Sequence, residues 1–402
     1  MDYRYGPAAS DIDEFFRAKR SWSKVKDKVV GDYIVCYLKT VHTLRRPILI
    51  VDGFCGPGRF GDGSDGSPLI ICKAIGDRLK GRASMGCLFS DCRAGHRAAL
   101  AYNLAGYIHQ GLCERPYEDC SQALERALEI GAGSTIFFYL DPYGIKDLEF
   151  EMVRQIYQRN TAQSTEVLIN FNFRTFMRMS GNWNYSDSAS EVSRKVKEGK
   201  VETVDNVMGG DYWRRIITDP KLGKIEREEA VVKEYVANVR KFFTYAYAIP
   251  VKERQEGENH IPDDELAHYH LIFGTRNSRA VTYMNDVALN ALEPYFRQFK
   301  EGLLFDFTPQ RYQPIDRERA KTAIVDAVNA RPLRRPDIFE VIIPAYFMHH
   351  RTKEYRAMID ELTFKEARLF PDATTMKLAN KLNDDTLLSS KPWVGQTASM
   401  DL

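Results

Sequence analysis

The sequence predicts an α/β protein of the Rossmann-like kind, in which helices cover both faces of an open parallel sheet, with a small helical domain at the C-terminal end. Short apolar runs such as PILIVDGF, MGCLFSD, STIFFYLDPYG and EVLINFNF recur along the chain, and segments with helical spacing separate them. Strands that alternate with helices form parallel sheets, and continuous apolar runs are typical of strands buried on both faces.

The predicted elements follow one another in a regular order. An amphipathic helix between Trp22 and Leu44 precedes the first strand, PILIVDGF. After a glycine-rich loop, Ser67 is a candidate N-cap and Pro68 suits the first helical position of SPLIICKAI. MGCLFSD, LCERPYED, STIFFYLDPYG and EVLINFNFRTF are the second to fifth strands, with helical segments between them. TYAYAIPVK and AHYHLIFGTR then complete a seven-stranded sheet.

Changes in composition divide the chain. Residues 1–20 are a polar leader, and residues 21–306 form the predicted α/β domain. Within it, the stretch 177–210 is polar and charged, which indicates an insertion or a lid. Residues 307–402 are basic and helical in pattern and are predicted to form a separate small domain.

Composition excludes several classes of protein. The 402 residues include 57 Lys and Arg against 55 Asp and Glu, so a basic surface for nucleic acid has to be local. No run approaches the ~18 to 20 apolar residues of a membrane span, and the N-terminus lacks the apolar core of a signal peptide, which predicts a cytoplasmic protein without a membrane partner. The seven cysteines contain no CxxC pair, which favours reduced thiols over a metal site.

The stretch VDGFCGPGRF is the first candidate for chemistry. Asp52 ends the first strand, and Gly56 and Gly58 allow a sharp turn in which a ligand can approach the backbone. A tight structural turn is the alternative. GPGRFG also satisfies the dinucleotide pattern G-x-G-x-x-G, but a further polar loop, DGSDG, intervenes before the helix, which disfavours a nicotinamide dehydrogenase. An acid just before the glycines suits a cationic ligand such as S-adenosylmethionine.

Three more acids stand at predicted strand ends. Asp91, in LFSD, is the predicted ribose ligand, with a helix cap as the alternative. Asp119, in RPYED, is equally suited to an adenine amino group and to capping the next helix. Asp141, in FFYLDPYG, is predicted to orient an attacking atom or take its proton, and Tyr143 to stack on a planar base; a simple turn is the alternative.

These motifs resemble those of a known family. DGFCGPG is similar to motif I of class I S-adenosylmethionine-dependent methyltransferases, and DPYG resembles the DPPY motif of amino-methyltransferases. More narrowly, WSKVKDKVVGDYI, VDGFCGPGRF, GSPLIICKAI, FFYLDPYGI, EVLINF, MGGDYW and YHLIFGTRN, in this order, resemble the three-Cys-motif partner proteins, TcmP. The resemblance covers residues 20 to 300 and implies a methyltransferase fold, often followed by a winged helix, and a partner protein encoded nearby.

The resemblance also implies roles for individual residues. The cofactor loop would comprise Asp52, Gly53, Phe54, Gly56 and Gly58, and Asp91 would hold the ribose. The catalytic edge would comprise Asp141, Pro142 and Tyr143. Lys26 matches a lysine of the family pattern and would contact phosphate or substrate; a solvated helix face is the alternative.

Two departures from the family pattern bear on the chemistry. DPYG lacks the second proline of DPPY, so methylation of an exocyclic amine does not follow from it. The sequence also has no Pro-Cys pair of the kind that cytosine-5 methyltransferases use.

The remaining question is the substrate. Arg334 and Arg335, in a basic part of the C-terminal domain, are predicted to attract phosphate, and Arg276 to contact a base or phosphate. The sequence therefore predicts an S-adenosylmethionine-dependent methyltransferase acting on a base of DNA or RNA. The alternative is a protein without turnover that binds nucleic acid or a partner on the same scaffold.

Overall fold

The structure is a computed structural model that describes residues 14–76, 85–159, 164–181, 191–252, 266–297, 313–376 and 381–393. The chain divides into two compact units, Met1–Arg276 and Asn277–Leu402. The sequence predicted a boundary between residues 306 and 307, which lie outside the described residues. The division instead assigns the helix Ser278–Arg297 to the C-terminal unit.

The first unit is built from six described strands and ten α-helices within the described residues. The strands are β1 Ile48–Asp52, β2 Met85–Phe89, β3 Thr135–Leu140, β4 Thr165–Phe171, β5 Tyr245–Val251 and β6 Tyr269–Thr275. The helices are α1 Ser21–Val41, α2 Ser67–Gly76, α3 Ala94–Asn103, α4 Ala105–His109, α5 Cys120–Ile130, α6 Phe150–Tyr157, α7 Phe173–Ser180, α8 Glu191–Met208, α9 Trp213–Ile217 and α10 Lys224–Arg240.

The strands form one sheet in the order β2-β1-β3-β4-β6-β5. The first four are parallel, and β6 is antiparallel to both of its neighbours. This mostly parallel α/β sheet is consistent with a Rossmann-like methyltransferase fold. Because β1, β2 and β3 are parallel and in register at Asp52, Phe89 and Tyr139, the loops that follow them leave the same edge of the sheet.

Buried strands explain why the apolar runs predicted the sheet correctly. Every residue of β1, β3 and β4 is buried, as expected for strands covered on both faces. On one face, the Phe137 ring lies 5.6 Å from Tyr33 of α1. On the other, Phe138 and Leu140 belong to a buried cluster that includes Leu124 of α5.

The seven-stranded prediction was wrong in one strand. LCERPYED contributes only two isolated bridges within the described residues, Cys87 with Cys113 and Ser90 with Tyr117. Pro116 has no N–H to donate to a ladder, so a continuous strand is interrupted there.

The segment predicted as a polar insertion, 177–210, contains ordered helix. Residues 182–190 lie outside the described part, but α8 follows at once. Val201, Val204 and Val207 recur at helical spacing and belong to the buried core cluster. The C-terminal half of this segment is therefore an amphipathic helix that packs on the core.

The second unit combines four described helices with a small sheet. Its elements are α11 Ser278–Arg297, α12 Arg317–Ala330, β7 Leu333–Arg334, α13 Arg335–Ala345, α14 Thr352–Phe364, β8 Phe370–Pro371 and β9 Leu387–Ser389. The strands are antiparallel in the order β7-β9-β8. Ile338, Ile342, Tyr355 and Met358 are among its buried side chains. Among all described helices of the chain, none combines the length and apolar character needed to cross a membrane.

Candidate active site

The loop after β1 has the backbone that its glycines predicted. Gly56 has φ +62° and Gly58 has φ +79°, both in the left-handed region that favours glycine. A Cβ added at Gly56 would lie 2.5 Å from a ring carbon of Phe16, and one added at Gly53 would lie 2.4 Å from Cys120 Sγ. The loop is therefore a tight turn whose glycines are required by close neighbours.

Asp52 is fully buried at the start of this loop. One carboxylate oxygen accepts a hydrogen bond from Ser67 Oγ at 2.6 Å, and the other accepts from the Phe54 N–H at 3.2 Å. Burial raises the pKa of Asp52 to about 7, against the opposing effect of these two hydrogen bonds. Ser67 is the first residue of α2, and its hydroxyl donates the hydrogen bond to Asp52, so this contact links β1 to α2.

Asp91 lies at the end of β2, as predicted, and it contacts the glycine loop directly. One oxygen accepts from the Gly56 N–H at 2.9 Å and the other from the Arg93 N–H at 2.9 Å. His96 Nδ1 is 3.3 Å from the carboxylate. Asp91 thus holds the loop against the end of β2, and its role toward a ribose stays a prediction.

Asp119 has the capping geometry that was one of its two predicted roles. Its Oδ1 accepts from the Gln122 N–H at 2.9 Å, which caps α5. The residue also lines a cavity.

That cavity has a volume of about 990 Å³ and starts at Gly53 and Phe54 of the glycine loop. Its volume lies within the ~300 to 1,000 Å³ of small-molecule sites. It continues past the start of α5 to α8, and its charged side chains are Asp119, Lys146, Asp147, Glu149, Glu151 and Lys200. Four acids against two lysines make this cavity favourable for a cationic group. Two cysteines, Cys92 and Cys120, also line it.

Asp141 is the centre of a second group of polar side chains at the same sheet edge. Its carboxylate forms an ion pair with Lys26 Nζ, accepts from Tyr139 Oη at 3.0 Å and accepts from Asn170 Nδ2 at 2.5 Å. Burial, the largest single influence, lowers the pKa of Lys26, but the charges of Asp141, Tyr269 and Asp27 and the hydrogen bond to Asp141 together raise it, so Lys26 is an ammonium at neutral pH. The structure thus joins Lys26 and Asp141, which are 115 positions apart in sequence.

The rest of the DPYG motif lies beside this ion pair. Pro142 is buried, whereas Tyr143 is 38% exposed and its ring meets Phe15 edge to face at 5.2 Å. Phe16 packs next to the loop, with its ring 5.4 Å from Phe60. The polar leader therefore contributes two aromatic side chains to the site.

Sequence reasoning missed several of these residues. Asn170 ends the run EVLIN with a polar side chain, which is the same signal that drew attention to Asp52 and Asp141. Tyr139 lies inside an apolar run, and nothing in its neighbours indicates a polar role. Phe15 and Phe16 stand out as two adjacent phenylalanines in a mostly polar leader.

The prediction that Arg276 joins this site does not agree with the structure. Because β6 is antiparallel to β4, it begins beside Phe171 and ends near Val167, so Arg276 follows the opposite end of the sheet. Its guanidinium donates to the Tyr157 carbonyl at 2.8 Å and lies 4.9 Å from the Tyr157 ring centre. Arg276 packs between helix and strand rather than among the acids.

The two arginines predicted to hold phosphate are also engaged within their own unit. Arg334 donates to both oxygens of Asp337, at 2.9 and 3.3 Å. Arg335 is buried, with Asp360 at 3.7 Å. In this conformation the Arg335 side chain is turned away from solvent, which contradicts a direct phosphate contact.

Comparisons with known proteins add little to this geometry. No family model matches the chain, and no curated protein does. Among solved structures, cofactor-bound Rv0187 from MTB is 13% identical, with a TM-score of 0.29 over 66% of this chain and 86% of that chain. The O-methyltransferase TomG from Streptomyces achromogenes, involved in tomaymycin synthesis and solved with SAM, is 10% identical, with a TM-score of 0.30 over 68% of this chain and 99% of that chain. At these values the likenesses carry no conclusion about activity.

Proposed function

We propose that the chain is an S-adenosylmethionine-dependent methyltransferase. The observation that carries this proposal is the cavity of about 990 Å³ that opens from the glycine loop at the carboxyl edge of the sheet. Ligands of open α/β sheets bind outside the carboxyl ends of the strands. The acidic lining of the cavity suits the positive charge of a sulfonium nucleoside.

The residues present fit this cofactor. A Cβ at Gly53 would collide with Cys120, so the backbone there packs closely against the start of α5, and both residues line the cavity. Gly53 and Phe54 would line the cofactor, Asp119 would face its base, and Asp52 would fix the loop through Ser67. When bound, S-adenosylmethionine supplies an activated methyl group. The chain's own contribution is to position an acceptor atom beside Asp141 and to exclude water.

For the acceptor we propose nucleic acid, as the sequence predicted. Support comes from the second unit, in which the elements after α11 are a helix, a strand, two helices and two strands. With a three-stranded antiparallel sheet, this is the order of a winged helix. Arg334 and Arg335 do not support it, because one is paired with Asp337 and the other is buried.

Methyl transfer from labelled S-adenosylmethionine to mixed DNA, RNA and small-molecule acceptors tests the proposal. The full-length chain should label an acceptor, and Asp141→Ala should abolish labelling while cofactor binding remains. Asp32→Ala is the matched control, since Asp32 is a half-exposed acid on α1 that pairs with Lys28. Cofactor binding without transfer to any acceptor would instead indicate a scaffold that binds without turnover.

A further inference from the structure

We propose that residues 14–20 form a strap over the carboxyl edge of the sheet, and that this strap lifts to admit the acceptor to the DPYG motif. The identity of what enters rests on the proposed function, whereas the opening of the strap rests on contacts within the chain and can be measured without a ligand. Two features support this role, namely what the strap covers and how few contacts hold it.

The strap contacts the segments that follow three neighbouring strands. After β1, the centre of the Phe16 ring lies 5.4 Å from that of Phe60. After β2, it lies 5.1 Å from the centre of the His96 ring, and after β3 the ring of Phe15 meets Tyr143 edge to face at 5.2 Å. Because ligands of open α/β sheets bind outside these strand ends, the strap covers the edge by which an acceptor approaches.

Two glycines of the loop after β1 make room for the strap. A Cβ added at Gly56 would lie 2.5 Å from the Phe16 ring, and one added at Gly61 would lie 2.8 Å from the Arg17 carbonyl oxygen. The cavity begins instead at Gly53, and none of the described residues that line it belongs to the strap. The part of the loop that receives the strap is thus separate from the part that lines the cavity.

The strap also lies beside Asp141. Lys19 Nζ is 2.5 Å from Asp27 Oδ2. Burial raises the pKa of the Asp27 carboxyl, Lys26 and Lys19 lower it, and Asp141 raises it further, which places these four groups close together. The Asp141 side chain is 14% exposed, so access to it is narrow while the strap is closed.

Few contacts hold the strap on the loop. The Gly61 N–H donates to the Phe16 carbonyl at 2.7 Å, and the Lys19 N–H donates to Asp62 at 3.0 Å. The Lys19 ammonium also donates to the Asp65 carbonyl at 2.6 Å. Four of the seven strap residues are exposed and none is fully buried. Segments with few buried contacts open locally while the rest of a protein stays folded.

The loop keeps its own hydrogen bonds when the strap lifts. The Phe60 N–H donates to the Ser64 carbonyl at 2.9 Å, and the Gly66 N–H donates to the Gly58 carbonyl at 2.8 Å. Neither bond involves the strap. Opening is therefore a local motion of residues 14–20, of the kind that lids make over active sites.

Hydrogen exchange at two glycine amides tests the opening. The Gly61 N–H donates to the strap, whereas the Gly66 N–H donates to Gly58 within the loop, so the second amide is the matched control. With nitrogen-15 glycine labelling and correction for intrinsic exchange rates, we expect Gly61 in the full-length chain to be at least about tenfold less protected than Gly66. Equal protection of the two amides would show that the strap and the loop open only together, and would overturn the proposal.

Deletion of the Phe15 ring should favour the open strap. Phe15→Ala removes the contact with Tyr143 and should speed exchange at Gly61 about tenfold further, while Gly66 keeps its rate. Tyr102→Ala removes a ring that is 84% exposed on α3 and should change neither amide. An unchanged rate at Gly61 in Phe15→Ala, or an equal change at Gly66, would contradict the assigned contact.

Nitration by tetranitromethane tests access to the covered edge. Tyr143 is 38% exposed and in contact with Phe15, so Phe15→Ala should let the reagent modify Tyr143 several-fold faster, as measured by mass spectrometry of the full-length chain. Tyr102 is the internal control and should keep its rate. The same rate at Tyr143 in both chains would show that the strap does not limit access, and would overturn its role as a gate.

Binding of S-adenosylhomocysteine separates this proposal from the proposed function. Because none of the described strap residues lines the cavity, Phe15→Ala should bind this ligand within about twofold of the wild-type affinity. A larger loss would assign the strap to the cofactor rather than to the acceptor, and would overturn the proposal. A wild-type chain that does not bind the ligand would overturn the proposed function, while exchange and nitration would still decide whether the strap opens.

Discussion

Replacement of Gly56 by alanine should destabilise the protein through two separable effects. At φ +62° an L-residue is strained, and the added Cβ would lie 2.5 Å from the Phe16 ring. Gly63 offers a matched control, because it has φ +83° but has nothing within 4 Å of an added Cβ. The difference in the free energy of unfolding between Gly56→Ala and Gly63→Ala therefore isolates the contact between the leader and the glycine loop.

The magnitudes follow from these contacts. A left-handed backbone costs a non-glycine residue ~1 to 2 kcal/mol, and both variants share this cost. Forcing an extra methyl into a packed position costs a further ~1 to 3 kcal/mol, which applies to Gly56→Ala alone. Adding Phe16→Ala should remove this second part, because the ring that the methyl meets is then absent.

Equilibrium urea unfolding of the four variants, namely the two alanine replacements of glycine, Phe16→Ala and the double variant, measures these differences. We expect Gly56→Ala to lose more free energy of unfolding than Gly63→Ala does. We expect the loss in the double variant to be smaller than the sum of the separate losses in Gly56→Ala and Phe16→Ala. Equal losses for Gly56→Ala and Gly63→Ala would refute the packing of Phe16 on the loop.

Three further predictions concern other parts of the chain. Burial raises the pKa of Asp52 from 3.8 to about 7, so its contribution to stability is present at low pH and is lost as the pH rises through 7. Between pH 4 and pH 8, the free energy of unfolding of Asp52→Asn should therefore gain up to ~4 kcal/mol relative to wild type. Urea unfolding measures this difference, and parallel pH curves would argue against it. Cys92 is exposed and lines the cavity, so bound S-adenosylhomocysteine should slow its alkylation, as measured by mass spectrometry. Buried Cys72 should react slowly with and without S-adenosylhomocysteine. An unchanged rate at Cys92 would indicate that the cofactor does not bind in this cavity. Arg335→Met should leave the affinity for DNA unchanged in fluorescence anisotropy. It should cost less than ~1 kcal/mol of stability, because its ion-pair partner Asp360 is half exposed. A weakened affinity would restore the predicted phosphate contact.

Much of the first unit could be predicted from sequence because β1, β3 and β4 are buried along their whole length. The strands appear in the sequence as mostly apolar runs, and Asp52, Asp91 and Asp141 mark the ends of three of them. Whether a strand runs parallel or antiparallel to its neighbours leaves no such mark in the sequence. Arg276 follows an apolar run in the same way as the acids, and only the antiparallel pairing of β6 places it at the other edge.

Side-chain partners across the fold were beyond sequence reasoning for a similar reason. The lysine at position 26 sits on a helix rich in lysines, and nothing local separates it from Lys28, which remains at the surface. Packing of α1 on the sheet decides which of the two is buried beside Asp141. The burial of Arg335 likewise depends on the packing of its own unit, not on its basic neighbours in the sequence.

Calorimetric titration of S-adenosylhomocysteine into the full-length chain tests the central claim most directly. We expect one site per chain, an affinity at least tenfold weaker in Asp52→Ala, equivalent to about 1.4 kcal/mol, and an unchanged affinity in Asp32→Ala. Absence of binding to the wild-type chain would contradict the assignment of the glycine loop and its cavity to this cofactor, and equal affinity in Asp52→Ala would remove Asp52 from the site.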